Sequence, residues 1–194
     1  MLRSFRGSRK FKQTMIDLFK QLLVSQFEAS LCTLAHAVEQ CPEELWNAPV
    51  ARYLFCQVAF HTLFFTDVYL GLSPESLTQQ PFHRANAALF GDYEQMQERE
   101  PVTLYDRPQI MGYLDFCRSK AFEAISMETA ESLAAPAQFA RRHFSRAELY
   151  LYNIRHIQHH AAQLIMRLRL DSDIDVSWIG AGWRDPLPLP SEES

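Results

Sequence analysis

The stretch Leu149-Tyr-Leu-Tyr-Asn-Ile-Arg-His-Ile-Gln-His-His-Ala-Ala-Gln-Leu-Ile-Met-Arg-Leu168 decides how the chain folds. Just before it stand Ser145 and Glu148, an S-x-x-E capping box, with Phe144 and Leu149 at the two ends of a hydrophobic staple. These signals start a helix near residue 146 that runs to about Leu170. His156 and His160 are spaced i and i+4, so at about 100° per residue they point within about 40° of each other, one turn apart. Both imidazoles can therefore reach one ion. Leu149 and Leu164 lie toward the same side, Ile157 and Leu168 further round, and Gln158 and Arg169 opposite. The pair is expected to face inward. Arg167 also falls on the histidine side, and this phase requires its long stem to carry the charge out at the end of the helix.

Working outward, proline and glycine are missing from residues 8–41, 50–70, 113–135 and 137–179, and four uninterrupted windows predict four helices. In the first, Met15, Leu18, Leu22, Leu31, Leu34 and Val38 recur largely at spacings of three and four, and Pro42 ends it. The second, roughly 50–70, is nearly all apolar, as expected of a helix wrapped by neighbours, and Gly71 stops it. The third begins at about residue 107, with Asp106 as cap and Pro108 in the first turn, and runs to about 128. The link from Leu72 to Tyr105, with Pro74, Pro81, Gly91 and Pro101, is too long for a tight turn and reads as a crossover holding short helical pieces. In the tail, 171–194, Trp178 and Trp183 call for packing on the bundle, where the tail would cover one end and shape a pocket mouth. Gly180-Ala-Gly182 reads as a flexible part of it. The expected fold is all-α: a four-helix bundle in one domain over 1–194, with its ligand site between facing helices.

Composition agrees with a folded globular chain: 194 residues, 47% hydrophobic and 22% charged, enough to bury roughly 70% of the unfolded surface. The net charge of -4 gives no general attraction for nucleic acid or anionic membrane. Cys32, Cys41, Cys56 and Cys117 form no C-x-x-C pair, so neither a zinc ribbon nor a dithiol motif is written, and reduced, buried thiols are expected. The amino terminus carries Arg3, Arg6, Arg9 and Lys10 without a following apolar run, so no secretory signal is visible, and the basic arm reads as solvated. No stretch is long and apolar enough for a spanning helix. A cytoplasmic protein is the expectation.

The i, i+4 pair is weak evidence by itself, since 7 histidines in 194 residues yield roughly 0.25 such pairs by chance. His61, mid-way along the most apolar helix, supplies a third donor. One histidine from the second helix and two from the fourth make a facial set with open positions, the pattern of a catalytic rather than a closed structural metal site. No histidine is preceded three residues earlier by Glu, so the Glu-x-x-His pairs of di-iron carboxylate bundles are missing. Gln57 and Asn153, each about one turn before a candidate ligand, are candidates to orient an imidazole or a metal-held water. His159 points 60° to 100° away from the pair by helical geometry and reads as a surface histidine, as Asp67 reads as a surface carboxylate.

Phe60-His-Thr-Leu-Phe-Phe-Thr-Asp-Val-Tyr-Leu70 and Arg155-His-Ile-Gln-His-His-Ala-Ala-Gln-Leu164 resemble the DinB-like superfamily of metal-dependent bundle proteins, a likeness extending from about residue 11 to 170. The resemblance implies four helices with a long connection between the second and third. It also implies a metal held by one histidine on helix two and an H-x-x-x-H on helix four, which fall here on His61, His156 and His160. Some members of that superfamily are transferases or isomerases that use a small thiol such as bacillithiol, mycothiol or glutathione.

The sequence thus leads to a divalent-metal enzyme, with zinc or nickel foremost and iron as a further option, acting on a small thiol or a water as an S-transferase or hydrolase. The rival expectation is a non-catalytic metal-binding or structural bundle that dimerises.

Overall fold

A computed structural model of the chain describes residues 14–93, 101–139 and 143–184. It is 70% helix, with eight α-helices and little strand. Four of them are long: α1 (Met15–Gln40), α3 (Phe55–Leu70), α6 (Arg107–Met127) and α8 (Arg146–Ser172). Short helices fill the connections: α2 (Glu43–Trp46), α4 (Ser76–Gln79), α5 (Pro81–Ala85) and α7 (Ala130–Ala134), with a 3-10 turn at Ala87–Phe90.

Each long helix starts where a polar side chain closes its first turn. Thr14 and Asp17 cap each other's backbone N–H groups at the start of α1, and Asp106 and Gln109 do the same for α6. Ser145 Oγ accepts from Glu148 N at 3.2 Å to open α8. The first helix had been expected from residue 8; Thr14 is in extended conformation and its cap places the start at Met15, while 8–13 lie outside the described residues. α8 runs two residues beyond the expected Leu170, until Asp173 turns left-handed at φ 56°.

The second long helix departs from its expected start at 50. Pro49–Val50 and Tyr53–Leu54 instead form a small antiparallel pair, β1 and β2, around Ala51 at φ 56°. Phe55 N donates to Ala48 O at 3.0 Å, and the Gln57 Oε1 accepts from Leu54 N at 3.0 Å, so the helical ladder begins only at Phe55. The apolar run from Val50 to Leu70 thus contains a hairpin and a helix, which share composition but not periodicity.

α1 and α3 each pack against both α6 and α8. Between them lie Phe27, Leu31 and Leu34 of α1, Phe60, Leu63 and Phe64 of α3, Tyr113, Leu114 and Ile125 of α6, and Leu149, Ile157 and Leu164 of α8, all essentially without exposure. Burying each such side chain contributes about 1.5 to 3 kcal/mol. Phe60 and Tyr105 stack at 3.9 Å between centroids, fastening the end of the link from Leu72 to Tyr105 onto α3. All four cysteines are buried, and none is in a disulfide with another described residue.

Two polar networks tie the helices where they meet. Asp67 of α3, fully buried, accepts from Tyr113 Oη at 2.8 Å, from Gln80 Nε2 at 2.7 Å and from the Lys120 ammonium. The surface role expected for it is therefore wrong: α3 has 14 of its 16 residues buried and offers hardly any outward face. Arg146, the first residue of α8, donates to the carbonyls of Tyr69, Leu70 and Gly71, the terminal acceptors that α3 itself leaves open, and to Glu128 Oε1 at 3.0 Å. Tyr150 Oη donates to the same carboxylate at 2.7 Å.

The tail after α8 lies along α1. Ile179 packs on Ala29 and Cys32, Gly182 N donates to Ser25 O at 3.0 Å, and Trp183 sits over the Arg118 guanidinium at 4.1 Å. Gly182, at φ 66°, makes the turn that this docking needs, so Gly180-Ala-Gly182 is a seated bend rather than a loose one. Trp178, in contrast, is 74% exposed and does not serve as an anchor. Residues 185–194 lie outside the described residues. No helix among the described residues is long and apolar enough to cross a membrane.

Candidate metal centre

α3 and α8 pack directly on each other, and their contacts fix which residues meet. Arg146 reaches the last turn of α3, and one side chain further along, Asn153 Nδ2 donates to Thr66 O at 3.0 Å. The helices therefore run antiparallel, and the same progression brings His61 opposite His156 and His160. The ring centroids are 5.8 Å apart for His61 and His156, 4.9 Å for His61 and His160, and 4.7 Å for His156 and His160. One ring nitrogen of each lies within 4.8 Å of those of the other two. This is the single group of three or more metal-ligand side chains among the described residues, and it contains no carboxylate and no thiol.

A sequence profile of the DinB superfamily matches residues 26–164, a span that includes all of α3, the link to α6, α6 itself and the three histidines. The chain belongs to the DinB superfamily. Neither the curated proteins nor the solved structures provide a match to it.

In this DinB-superfamily chain the three rings are half-buried, and the rings around them are aromatic. Phe65 lies 4.8 Å from His61 and 6.0 Å from His156, Tyr69 6.0 Å from His156, and Tyr93 6.3 Å from His61. Such walls leave little to solvate a charge, and the histidines respond. Burial first, and then the proximity of His160, push His61 down to about 4. His160 is lowered as well, by burial above all, with the bond to Gln163 opposing and His159 adding to the shift. At neutral pH both imidazoles are uncharged, the form whose lone pair binds a metal.

The group fits a divalent ion in three respects: donor type, protonation and spacing. Two nitrogens bound tetrahedrally to one zinc ion lie about 3.4 Å apart, so from separations of up to 4.8 Å the three rings close on an ion by drawing in by at most about 1.5 Å. Three neutral donors also leave an ion's charge uncompensated, which favours an anionic further ligand.

The two residues expected to support the ligands have other partners. Gln57 spends its amide on Leu54 N, on Pro101 O at 2.9 Å and on Thr103 O at 3.2 Å, closing the first turn of α3 and holding the segment that precedes α6. Asn153 bonds Thr66 O, and its Oδ1 meets no hydrogen-bond donor among the described residues. Neither hydrogen-bonds a candidate ligand. The residue that does was not foreseen: Gln163 Oε1 lies 2.8 Å from His160 Nδ1, and Gln163 Nε2 lies 3.3 Å from His159 Nε2. Its signal was present in the sequence as a glutamine three residues after a candidate ligand on the same helix, the spacing at which helical side chains touch. His159 itself is exposed, as its angular offset predicts. The tail docks on α1 and α6, through Ser25, Ala29, Cys32 and Arg118, whereas the histidines belong to α3 and α8.

Proposed function

We propose that this chain is a metal-dependent enzyme of four-helix-bundle architecture, the crossover joining the second and third long helices. His61, His156 and His160 hold a divalent ion, zinc or nickel before iron. The observation that carries the reading is the convergence of three half-buried imidazoles from two helices with no carboxylate or thiol in the group. A closed structural zinc site takes four protein ligands, commonly with cysteine; three histidines leave room for a reactant. Family membership supports the same conclusion, since DinB proteins are generally metal-binding.

When bound, the ion supplies positive charge that favours the anionic form of a coordinated thiol or water. The chain's own residues do the rest. The three imidazoles donate lone pairs from rigid helices, and Phe65, Tyr69 and Tyr93 exclude bulk water from one side. None of the four cysteines is used as nucleophile: all are buried, and burial pushes Cys41 up to about 12. The substrate we assign is a small thiol or another small molecule, and the reaction S-transfer or hydrolysis. Neither nucleic acid nor membrane is a partner in this reading, in keeping with the net charge of -4.

The test is metal analysis of protein purified without a histidine tag, followed by monochlorobimane turnover with glutathione, bacillithiol, mycothiol or no thiol, and by ester and amide panels. Metal-dependent rate enhancement lost in His160→Ala supports the enzyme. Metal uptake without any turnover supports the second reading, a non-catalytic metal-binding bundle that dimerises. What favours that reading is the exposure of Leu18 and Leu22 on α1; the groove of about 470 Å³ between α1 and α6 is lined by Phe27, Leu31 and Phe122 but equally by Glu28, Asp115 and Arg118.

A further inference from the structure

The bond between His160 and Gln163 has a chemical direction. With Gln163 Oε1, which can only accept, facing His160 Nδ1 at 2.8 Å, this bond forms in the tautomer that carries the proton on Nδ1. A neutral imidazole carries one proton, and His160 Nε2 is then left with its lone pair. In the same orientation the Nε2 group at the other end of the amide lies 3.3 Å from His159 Nε2 and donates to it when that nitrogen carries no proton. Were the amide turned over, its NH2 would face His160 Nδ1, the proton would move to His160 Nε2, and that nitrogen would lose its lone pair. Gln163, His159 and His160 are neighbours on one turn of α8, so this arrangement needs no other element.

We infer that Gln163 is a positioning residue: it fixes the tautomer and ring orientation of His160 so that Nε2 is the metal-binding atom. The inference rests on the metal reading above. Histidine ligands commonly donate their second ring N–H to an oxygen, and loss of that partner lowers metal affinity about 10- to 100-fold. In this chain the oxygen belongs to an exposed glutamine on the ligand's own helix, while Gln57 and Asn153 are committed elsewhere.

The experiment compares wild type with Gln163→Met, which keeps length and removes the acceptor, and Gln163→Glu, which keeps an acceptor. Gln163 is exposed, and circular dichroism should report equal helix content in all three. Long-range 1H–15N spectra of metal-free protein labelled at histidine should place the His160 proton on Nδ1 in wild type and in Gln163→Glu, and move it toward Nε2 in Gln163→Met. Competitive zinc titration should show binding at least tenfold weaker in Gln163→Met and restored in Gln163→Glu. An unchanged tautomer in Gln163→Met, or zinc binding equal to wild type, overturns the positioning role while leaving the metal reading intact. Wild-type protein that takes up no zinc overturns the metal reading and the positioning role with it.

Discussion

Helix α3 carries two polar centres, one fully buried and one half-buried, that differ in their electrostatics. Around Asp67 each demand is met: a tyrosine hydroxyl, a glutamine amide and an ammonium satisfy one carboxylate, and the pair with Lys120 balances the charge. Around His61, among the described residues, stand the imidazole of His160 and the ring of Phe65, and burial with the nearby His160 holds its pKa down at about 4, so that the ring is uncharged at neutral pH. A saturated network holds helices together and has no capacity left for a ligand. A cluster of unprotonated donors costs little to bury and keeps that capacity. The two centres on one helix are thus distinguished by the balance of donors, acceptors and charge as well as by burial, which is complete at Asp67 and partial at His61.

The largest expected effect breaks the first centre. Asp67→Ala leaves Lys120 without its partner and should destabilise the fold by about 3 to 5 kcal/mol, read by urea denaturation. His61→Ala should instead remove metal binding by a hundredfold or more while costing the metal-free fold only about 1 kcal/mol. Comparable stability losses in the two variants would end the distinction. Within the cluster, His156→Ala should lower metal occupancy far more than His159→Ala, measured by elemental analysis, because only His156 belongs to the converging set.

A smaller effect concerns pH. Burial raises the Glu128 pKa, but hydrogen bonds from Ser132, Tyr150 and Arg146 outweigh it and hold the carboxyl below its ordinary value. A carboxyl lowered in the folded state contributes stability above its unfolded value of 4.5, and this is lost as pH falls through the folded value. Thermal melts should show wild type losing its advantage over Glu128→Gln as pH drops from neutrality into that range, while around neutrality the difference stays constant. The smallest effect belongs to the tail: Trp183→Ala removes a cation-π contact with Arg118 and should cost about 1 kcal/mol without changing metal affinity. A change in affinity would show that the tail also shapes the metal centre.

Much of this was legible in the sequence, and the exceptions share a cause. The starts of α6 and α8 were readable because Asp106 and Ser145 cap them locally, and the three histidines because helical phase projects His156 and His160 together. Local signals fail where a distant element decides. Gln57 is aimed by helix geometry at a histidine, yet the carbonyls of Pro101 and Thr103 claim it. Asp67 was placed outward by its angle from His61, which presumes that α3 has an outside. Ala51 carries no glycine or proline signal for the hairpin that it turns.

The guanidinium of Arg146 has a consequence for how the chain reaches this structure. Besides its nearer bonds to Glu128 and Tyr150, it joins the beginning of α8 to carbonyls 75 to 77 residues earlier, and these three bonds close loops that span the whole of α6. Contacts that close such long loops reward the chain late. Arg146 is therefore expected to act after the rate-limiting barrier of folding: weakening it leaves the speed of folding nearly unchanged and shortens the lifetime of the native state. The residue that seals the end of α3 is then a determinant of kinetic persistence, and it lies at the opposite end of that helix's contact with α8 from the histidines.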